Sequence, residues 1–447
     1  MLIIQNRMNK GKKRIFSLVA LFTITIVTFA QQVGSNSPYG RYGYGSLSNP
    51  STGASEAMGG ISYGLRRSQQ VNPGNPASYS KLDTLTFVFD IGVSGHYAKY
   101  NDGIASQNFY NGNLDYVAMQ FPLLRNMGAS IGLLPYSKVG YNYGRGQTTT
   151  DLVYQEIYNG SGGLSQIYGG LAWAPVKYVS VGMNMGYFFG KIQHTRQLPY
   201  INNTTLARSS TNTFSIRDIK YDFGVQFTYP IDKERSFTLG AVYTPQIKSK
   251  ATVYPYDRLI DPNSGQIVQV LQTDTLASQS FQFPHTFGLG ATYSNANMLV
   301  GIDGTYQLWK NLDYPTSLDG MSNDNRYNNR YRINAGAEYT IDPYSRNFFQ
   351  RIRFRGGFSF ANSYNNVYIY NDNSTPDTGG FKEYGVNIGF GLPFRSDTYT
   401  GKVSMVNIGL GYSLLQPDKS YMIKEEVFKI TLNMNINEFW FFKRQFD

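Results

Sequence analysis

The chain has 447 residues, no cysteine, a formal charge of +11 and a mean hydropathy of −0.34. The absence of cysteine excludes disulfides, thiolate metal sites, cysteine nucleophiles and a lipidated N-terminal cysteine. The hydropathy excludes a helical membrane protein but not a barrel, in which only alternate residues face lipid. Arg7, Lys10, Lys12, Lys13 and Arg14 supply +5 before residue 30, leaving +6 of the +11 spread along the chain. No basic patch marks a nucleic-acid partner.

The first predicted element is an address. Lys10, Lys12, Lys13 and Arg14 precede an apolar run from Ile15 to Phe29, and Thr28 and Ala30 sit at the small-residue positions before a cleavage point. This pattern predicts a signal peptide over 1–30, with Met8 as an alternative start and Gln31 as the first mature residue. No other stretch could span a bilayer as a helix, so a membrane location requires a closed barrel.

Residues 31–80 do not alternate and are rich in Gly, Ser, Asn and Pro. Small residues from Ala54 to Leu65 suit tight turns in a confined space. Arg66 and Arg67 together with the Asn72-Pro73 and Asn75-Pro76 steps favour defined structure over a flexible linker. The expectation is a plug inside the barrel, with the barrel proper over 81–447.

Period-two patterning dominates from Leu85 onward. In 178–190, Val179, Val181, Met183, Met185, Tyr187 and Phe189 share one face, and Ser180, Gly182, Asn184, Gly186 and Gly190 share the other. The same alternation recurs at 384–392, 406–414 and 427–436. About fourteen such segments are counted, centred near 90, 118, 132, 170, 184, 223, 241, 289, 302, 335, 356, 388, 409 and 432, each near the length of a tilted membrane strand. Short links at 123–127, 175–177, 230–235, 294–297, 342–349 and 393–401 alternate with long ones, among them 98–113, 139–163, 192–213 and 246–280. That rhythm fits short periplasmic turns and long external loops better than a soluble β-sandwich. The predicted fold is an all-β, transmembrane, antiparallel barrel of about 14 strands in the bacterial outer membrane, its outer face against lipid. Phe439, Trp440, Phe441, Phe442 and Phe446 suit an interfacial girdle at its end.

Candidate sites follow from the alternation. Pro135, in the third strand, lacks the N–H a central strand needs. It predicts either a functional kink that opens the wall sideways or the end of the membrane part of the strand. Asp303, Arg332, Glu338, Arg353 and Arg355 fall on the luminal face, because a charge facing lipid would cost about 2–4 kcal/mol. They form either a bracing ion-pair network or, with Arg66 and Arg67, a site for a ligand carboxylate. Asp90, Ser94 and His96 share a face of the first strand, but alternation alone gathers polar residues there, and no enzyme is expected. The acidic run Asp372 to Asp377 lacks a complete calcium-loop pattern, and no metal or cofactor is expected.

The chain resembles the FadL/TodX family. Asn75-Pro76-Ala77 stands where that family ends its N-terminal hatch, after the Gly/Ala-rich 53–64. FQFPHTFGLGATY at 281–293 resembles its proline-led eighth strand, TYQLWKNL at 305–312 the Trp-containing end of the ninth, and RYRINAGAEYTI at 330–341 and RIRFRGGFSF at 351–360 the tenth and eleventh. GVNIGFGLPF at 385–394 resembles the twelfth. The final Asp447 departs from the aromatic last residue usual for barrel assembly signals. The resemblance implies passive uptake of long-chain fatty acids or other hydrophobic compounds through a plugged fourteen-stranded barrel, with exit through a wall defect near strand three. A related branch serves as secretion-associated partner barrels, so a protein complex at the outer membrane is the alternative.

Overall fold

A computed structural model describes residues 36–148, 153–200, 205–315, 323, 325–370, 376–397 and 402–439. The expected signal peptide and the aromatic run after Phe439 lie outside these residues. The chain forms a closed antiparallel barrel of 14 strands. We number them β1 (Thr86–Asn101), β2 (Ser106–Leu124), β3 (Met127–Thr148), β4 (Val153–Val176), β5 (Val179–Leu198) and β6 (Ala207–Pro230). β7 runs as Ser236–Thr244 and Ile247–Ile260, and β8 as Leu276–Phe283 and Thr286–Ser294. Then follow β9 (Met298–Gln307), β10 (Arg330–Thr340), β11 (Arg353–Asn362), β12 (Phe381–Asp397), β13 (Lys402–Pro417) and β14 (Lys424–Phe439). The ring closes where β1 pairs with β14, from Thr86↔Phe439 to Asn101↔Lys424. Every expected strand centre falls within a strand.

The alternation works as lipid chemistry demands. Leu171, Met183, Val225, Leu239, Leu289, Ile302, Ile388, Leu410 and Ile430 point outward and are exposed. Their luminal neighbours are Gly, Ser, Thr and Asn, such as the buried Ser180, Asn184, Gln226 and Asn433. Outward aromatics border this belt. Tyr243 sits next to Phe287, Phe287 opposite Tyr306, and Tyr306 opposite Tyr331 on neighbouring strands. Trp173, Tyr178, Tyr229, Phe237 and Tyr339 are exposed towards the other rim. Such belts sit at headgroup level.

One expectation is corrected. The stretches 98–113, 139–163 and 192–213 were expected as long loops, yet within the described residues they are mostly strand. β3 has 22 residues, β4 and β6 have 24, and β5 has 20. About 9–11 residues suffice to cross the membrane. The ladders therefore continue above the lipid belt, where both faces meet water or protein and the apolar alternation fades. The β1–β2 link is a four-residue turn. There the Asp102 carboxylate accepts from the N–H groups of Ala105 (2.7 Å) and Ile104 (2.9 Å), which hold it below the usual carboxylate range.

Candidate functional site: the filled lumen and its wall seams

Residues 36–85 run through the interior of the ring and bond to strands on every side. Ser37 donates to Glu425 (2.6 Å) and the Tyr39 hydroxyl to the carbonyl of Ile423 (2.6 Å). The Gly53 N–H donates to Tyr116 on β2, which donates on to Asp90 of β1. Tyr79 donates to Asn184 on β5 (3.0 Å). The luminal glycines make these contacts possible. A methyl group on Gly182 would lie 2.5 Å from the Pro76 backbone, and side chains on Gly240, Gly336 and Gly357 would strike Tyr63, Met58 and Gly59. The alternation of large and small residues thus serves lipid on one side and this segment on the other.

The expected hatch motif is a capped turn. Asn75 caps the 3-10 turn Pro76–Lys81 by accepting from the Ala77 N–H (3.1 Å). Its amide donates to the carbonyls of Tyr63 (2.8 Å) and Val225 (3.3 Å). Pro76 stands at the first turn position, where its missing N–H leaves no donor unmet.

The inward charges hold the same segment. Asp303 on β9 accepts the N–H groups of Ser62 and Tyr63, the latter at 2.8 Å. Glu338 on β10 receives Arg67 (2.6 Å) from the segment and Arg355 (2.7 Å) from β11, with Arg353 at 3.7 Å. Arg355 also donates to Asn407 (2.6 Å). Three guanidiniums thus share one buried carboxylate, as the bracing alternative predicts. Arg66 donates to Ser180 (2.6 Å), to the Ala77 carbonyl (3.0 Å) and to Gln226 (3.2 Å). Arg332 donates to Asn334 (3.0 Å) and borders two small cavities. Arg66 and Arg332 are not brought to Glu338, so the five candidate arginines form three separate groups.

A second ionic chain escaped the sequence reading. Lys429 on β14 bonds Glu56 of the short helix Gly53–Glu56, and also Asp115 on β2 at 3.1 Å. Asp115 is 3.6 Å from Lys138 on β3. Four residues from four distant stretches meet, and no local motif announces them. Ser94 lies beside this chain. Its hydroxyl donates to Asp115 (2.9 Å) and lies 3.0 Å from His96 Nε2. The serine, not the histidine, occupies the centre, so the order a nucleophilic relay needs is absent. Asp90 is engaged instead by Tyr116, Asn433 and Asn435.

The wall has two seams. The β2–β3 ladder runs from Leu124↔Met127 to Val117↔Leu133 and stops. Pro135 lies just above, at a register shift against β4. Beyond it, Lys138 and Ser137 pair with Ser46 and Leu47 of the N-terminal segment instead of with β2. Opposite this stretch β4 carries Gly162 (φ +108°) and Gly163, where a side chain would strike the Ser137 carbonyl. Pro135 lies within a strand that continues to Thr148, just above the level where its pairing with β2 stops. The second seam separates β6 from β7 between Phe223↔Tyr243 and Ser215↔Thr252, beside Pro245.

Above the seams the interior is apolar and filled. Tyr44 from the segment packs on Phe283 (ring centroids 4.5 Å), Tyr314 (5.5 Å) and Trp309 (5.9 Å), and its hydroxyl donates to the Gln282 carbonyl (2.9 Å). Among the spaces left are three small ones, one with a mainly polar lining and two with a mainly apolar one. One of about 280 Å³ is bordered by Glu56, His96, Asp115, Lys138 and Lys429; two others measure about 180 and 110 Å³.

Comparison with known proteins accords with this architecture. A family model described as BamG matches residues 12–447. Among solved structures, the CymD monoaromatic hydrocarbon channel superposes with a TM-score of 0.54 at 12% identity, covering 88% of this chain and 98% of that one. A Pseudomonas aeruginosa FadL homologue gives 0.53 at 13%, covering 87% and 99%. The P. putida toluene transporter TodX gives 0.52 at 15%, covering 90% and 100%. At these identities the likeness is one of fold, and it bears out the FadL-type barrel. No curated protein matches the chain.

Proposed function

Because this chain belongs to the BamG family, we propose that it is an outer-membrane barrel acting as a partner subunit of a secretion or assembly complex. The observation that carries this reading is the occupied lumen. The N-terminal segment is bonded to Asp303, Glu338 and Lys429 on separate strands. Three of the spaces left measure about 110 to 280 Å³, and the largest of the three is bordered by charged groups. Sites for small hydrophobic molecules are commonly about 300–1,000 Å³ and mainly apolar. A rigid, filled barrel instead presents fixed outer surfaces for docking. The test is gentle purification from native membranes followed by mass spectrometry of everything retained. Stable partner proteins in fixed ratio, with no retained fatty acid, support the reading. Retained fatty acid without partner proteins overturns it.

Passage of long-chain fatty acids or other hydrophobic compounds is the second reading. One observation favours it: the β2–β3 seam at Pro135. The superposed neighbours include a monoaromatic hydrocarbon channel and a toluene transporter. On this reading Pro135→Val slows uptake of a labelled fatty acid, and Arg353→Ala weakens its binding while the barrel stays folded. Unchanged uptake and binding in both variants dismiss it.

A further inference from the structure

We propose that four exposed cations on the outer face of β5 to β7, Lys191, Arg217, Lys248 and Lys250, hold the anionic headgroup of a phosphorylated lipid in the outer leaflet of the membrane. The site needs only the membrane barrel and stands whether or not the chain is a partner subunit. Alternation fixes the direction of all four. Their chain neighbours Ile192, Ile216 and Ser249 are buried inward, and the cations stand on the opposite, exposed face. Register then gathers them. Phe189 on β5 lies opposite Arg217 and Lys191 opposite Ser215, so Lys191 and Arg217 are diagonal neighbours about 7–8 Å apart. Ser215 in turn pairs with Thr252 of β7. Arg217 and Lys250 each lie two residues below that pair, one on either side of the β6–β7 seam. Lys248 follows about 7 Å further down β7.

Among the described residues, none of the four makes an ion pair. Asp218, beside Arg217 in the chain, falls on the inner face opposite the buried Phe188. Asp313 accepts from Gln282 (2.6 Å), the β8 partner of Lys248. The β1–β14 wall shows the compensated arrangement: Lys99 lies opposite Glu426, and Lys424 reaches the same carboxylate (2.7 Å). Like charges gathered without an acid repel one another and attract an anion. Height says which anion. Phe189, opposite Arg217, stacks on Tyr187 (ring centroids 5.7 Å) on the outer face. Below Arg217 the exposed column of β6 continues as Ile219, Tyr221, Phe223 and Val225. Aromatic belts sit at headgroup level, so the cations stand where lipid phosphates lie, and the apolar column beneath is where acyl chains run. The planar guanidinium of Arg217 suits two phosphate oxygens at once, while lysine stems lie along apolar surface and carry their charge to the headgroup. A soluble acidic partner would reach these cations only by displacing the lipid that borders them.

The experiment titrates the full-length barrel in nonionic detergent with diphosphoryl lipid A, with its dephosphorylated form and with inorganic phosphate, and follows the complexes by native mass spectrometry. The expected result is saturable binding of the diphosphoryl form, at least tenfold tighter than that of the other two. Two paired variants, Lys191→Gln with Arg217→Gln and Lys248→Gln with Lys250→Gln, are each expected to weaken it about tenfold. Lys99→Gln with Lys424→Gln removes as many charges from the β1–β14 wall and is expected to leave binding unchanged. Heat-modifiable gel migration confirms that each variant is still a barrel, and either cluster pair suffices for the test. Equal binding of the two lipid forms overturns the proposal, as does an equal loss in the Lys99 and Lys424 pair. Inorganic phosphate that binds as tightly as the lipid overturns it too, by reducing the site to one for a free anion. So does purification from native membranes in which the cluster variants shed a protein yet keep as much phosphorylated lipid as the unaltered chain.

Discussion

From β9 round to β1 the wall is built of strands of 10 to 17 residues whose ladders run with at most a one-residue irregularity. From β2 to β8 it contains strands of up to 24 residues, two seams, and prolines at 135, 245 and 284. The regular sector also carries most of the charge that grips the N-terminal segment: Asp303, Glu338, Glu425 and Lys429. The irregular sector grips it through backbone pairing at Ser46–Leu47 and through the aromatic packing of Tyr44. The difference shows what each solvent asks of a sheet. Where lipid bounds one face, unbroken pairing is obligatory. Where strands climb into water, backbone groups can take other partners, as Ser137 and Lys138 do with Leu47 and Ser46.

The comparison breaks most directly at Glu338. Glu338→Gln leaves three guanidiniums without their shared carboxylate and is expected to cost about 3–5 kcal/mol, read as a lower midpoint in urea unfolding in detergent. Combining it with Arg355→Met should cost less than the two changes added; strict additivity would mean the brace is no unit. Gly336→Val drives a side chain into the Met58 carbonyl. A loss of about 1–3 kcal/mol is expected, with protease cutting near residues 54–65 that the native barrel resists. Continued resistance would show that the segment does not depend on the regular sector. Asp303→Asn keeps the acceptor but removes its charge. It should cost about 1–2 kcal/mol and speed amide exchange at Ser62 and Tyr63 selectively. Pro135→Val in the irregular sector is expected to shift stability by less than about 1 kcal/mol while slowing exchange around Leu134–Tyr136. A large destabilisation there would make the kink a structural necessity and erase the contrast between sectors.

The regular sector was legible because lipid imposes a strict rule on alternate residues: Tyr384, Val386, Ile388 and Phe390 needed no neighbours to declare their face. The inward direction of Asp303, Glu338 and Arg355 was legible for the same reason. Their partners were not. Arg67 meets Glu338 across 271 residues, and pairing at that separation leaves no local trace. The upper parts of β3 to β6 were misread as loops because Tyr, Asn, Gly and Thr in water serve strand and loop alike. Luminal glycines such as Gly182 and Gly336 were correctly placed on a face, but their work, making room for another stretch of backbone, requires the tertiary structure. Glu56, Asp115, Lys138 and Lys429 lie far apart in the chain and shared no pattern to find.

The contact between Ser37 and Glu425 spans 388 residues, and Glu56 meets Lys429 on the closing strand. The part of the chain made first therefore gains these partners only when the last strand arrives. Synthesis order and completion order are opposed, so the nascent head must be kept from premature pairing until β14 zips onto β1. Long-range closure of this kind is slow, which makes maturation of this molecule sensitive to whatever shelters its leading end in the meantime.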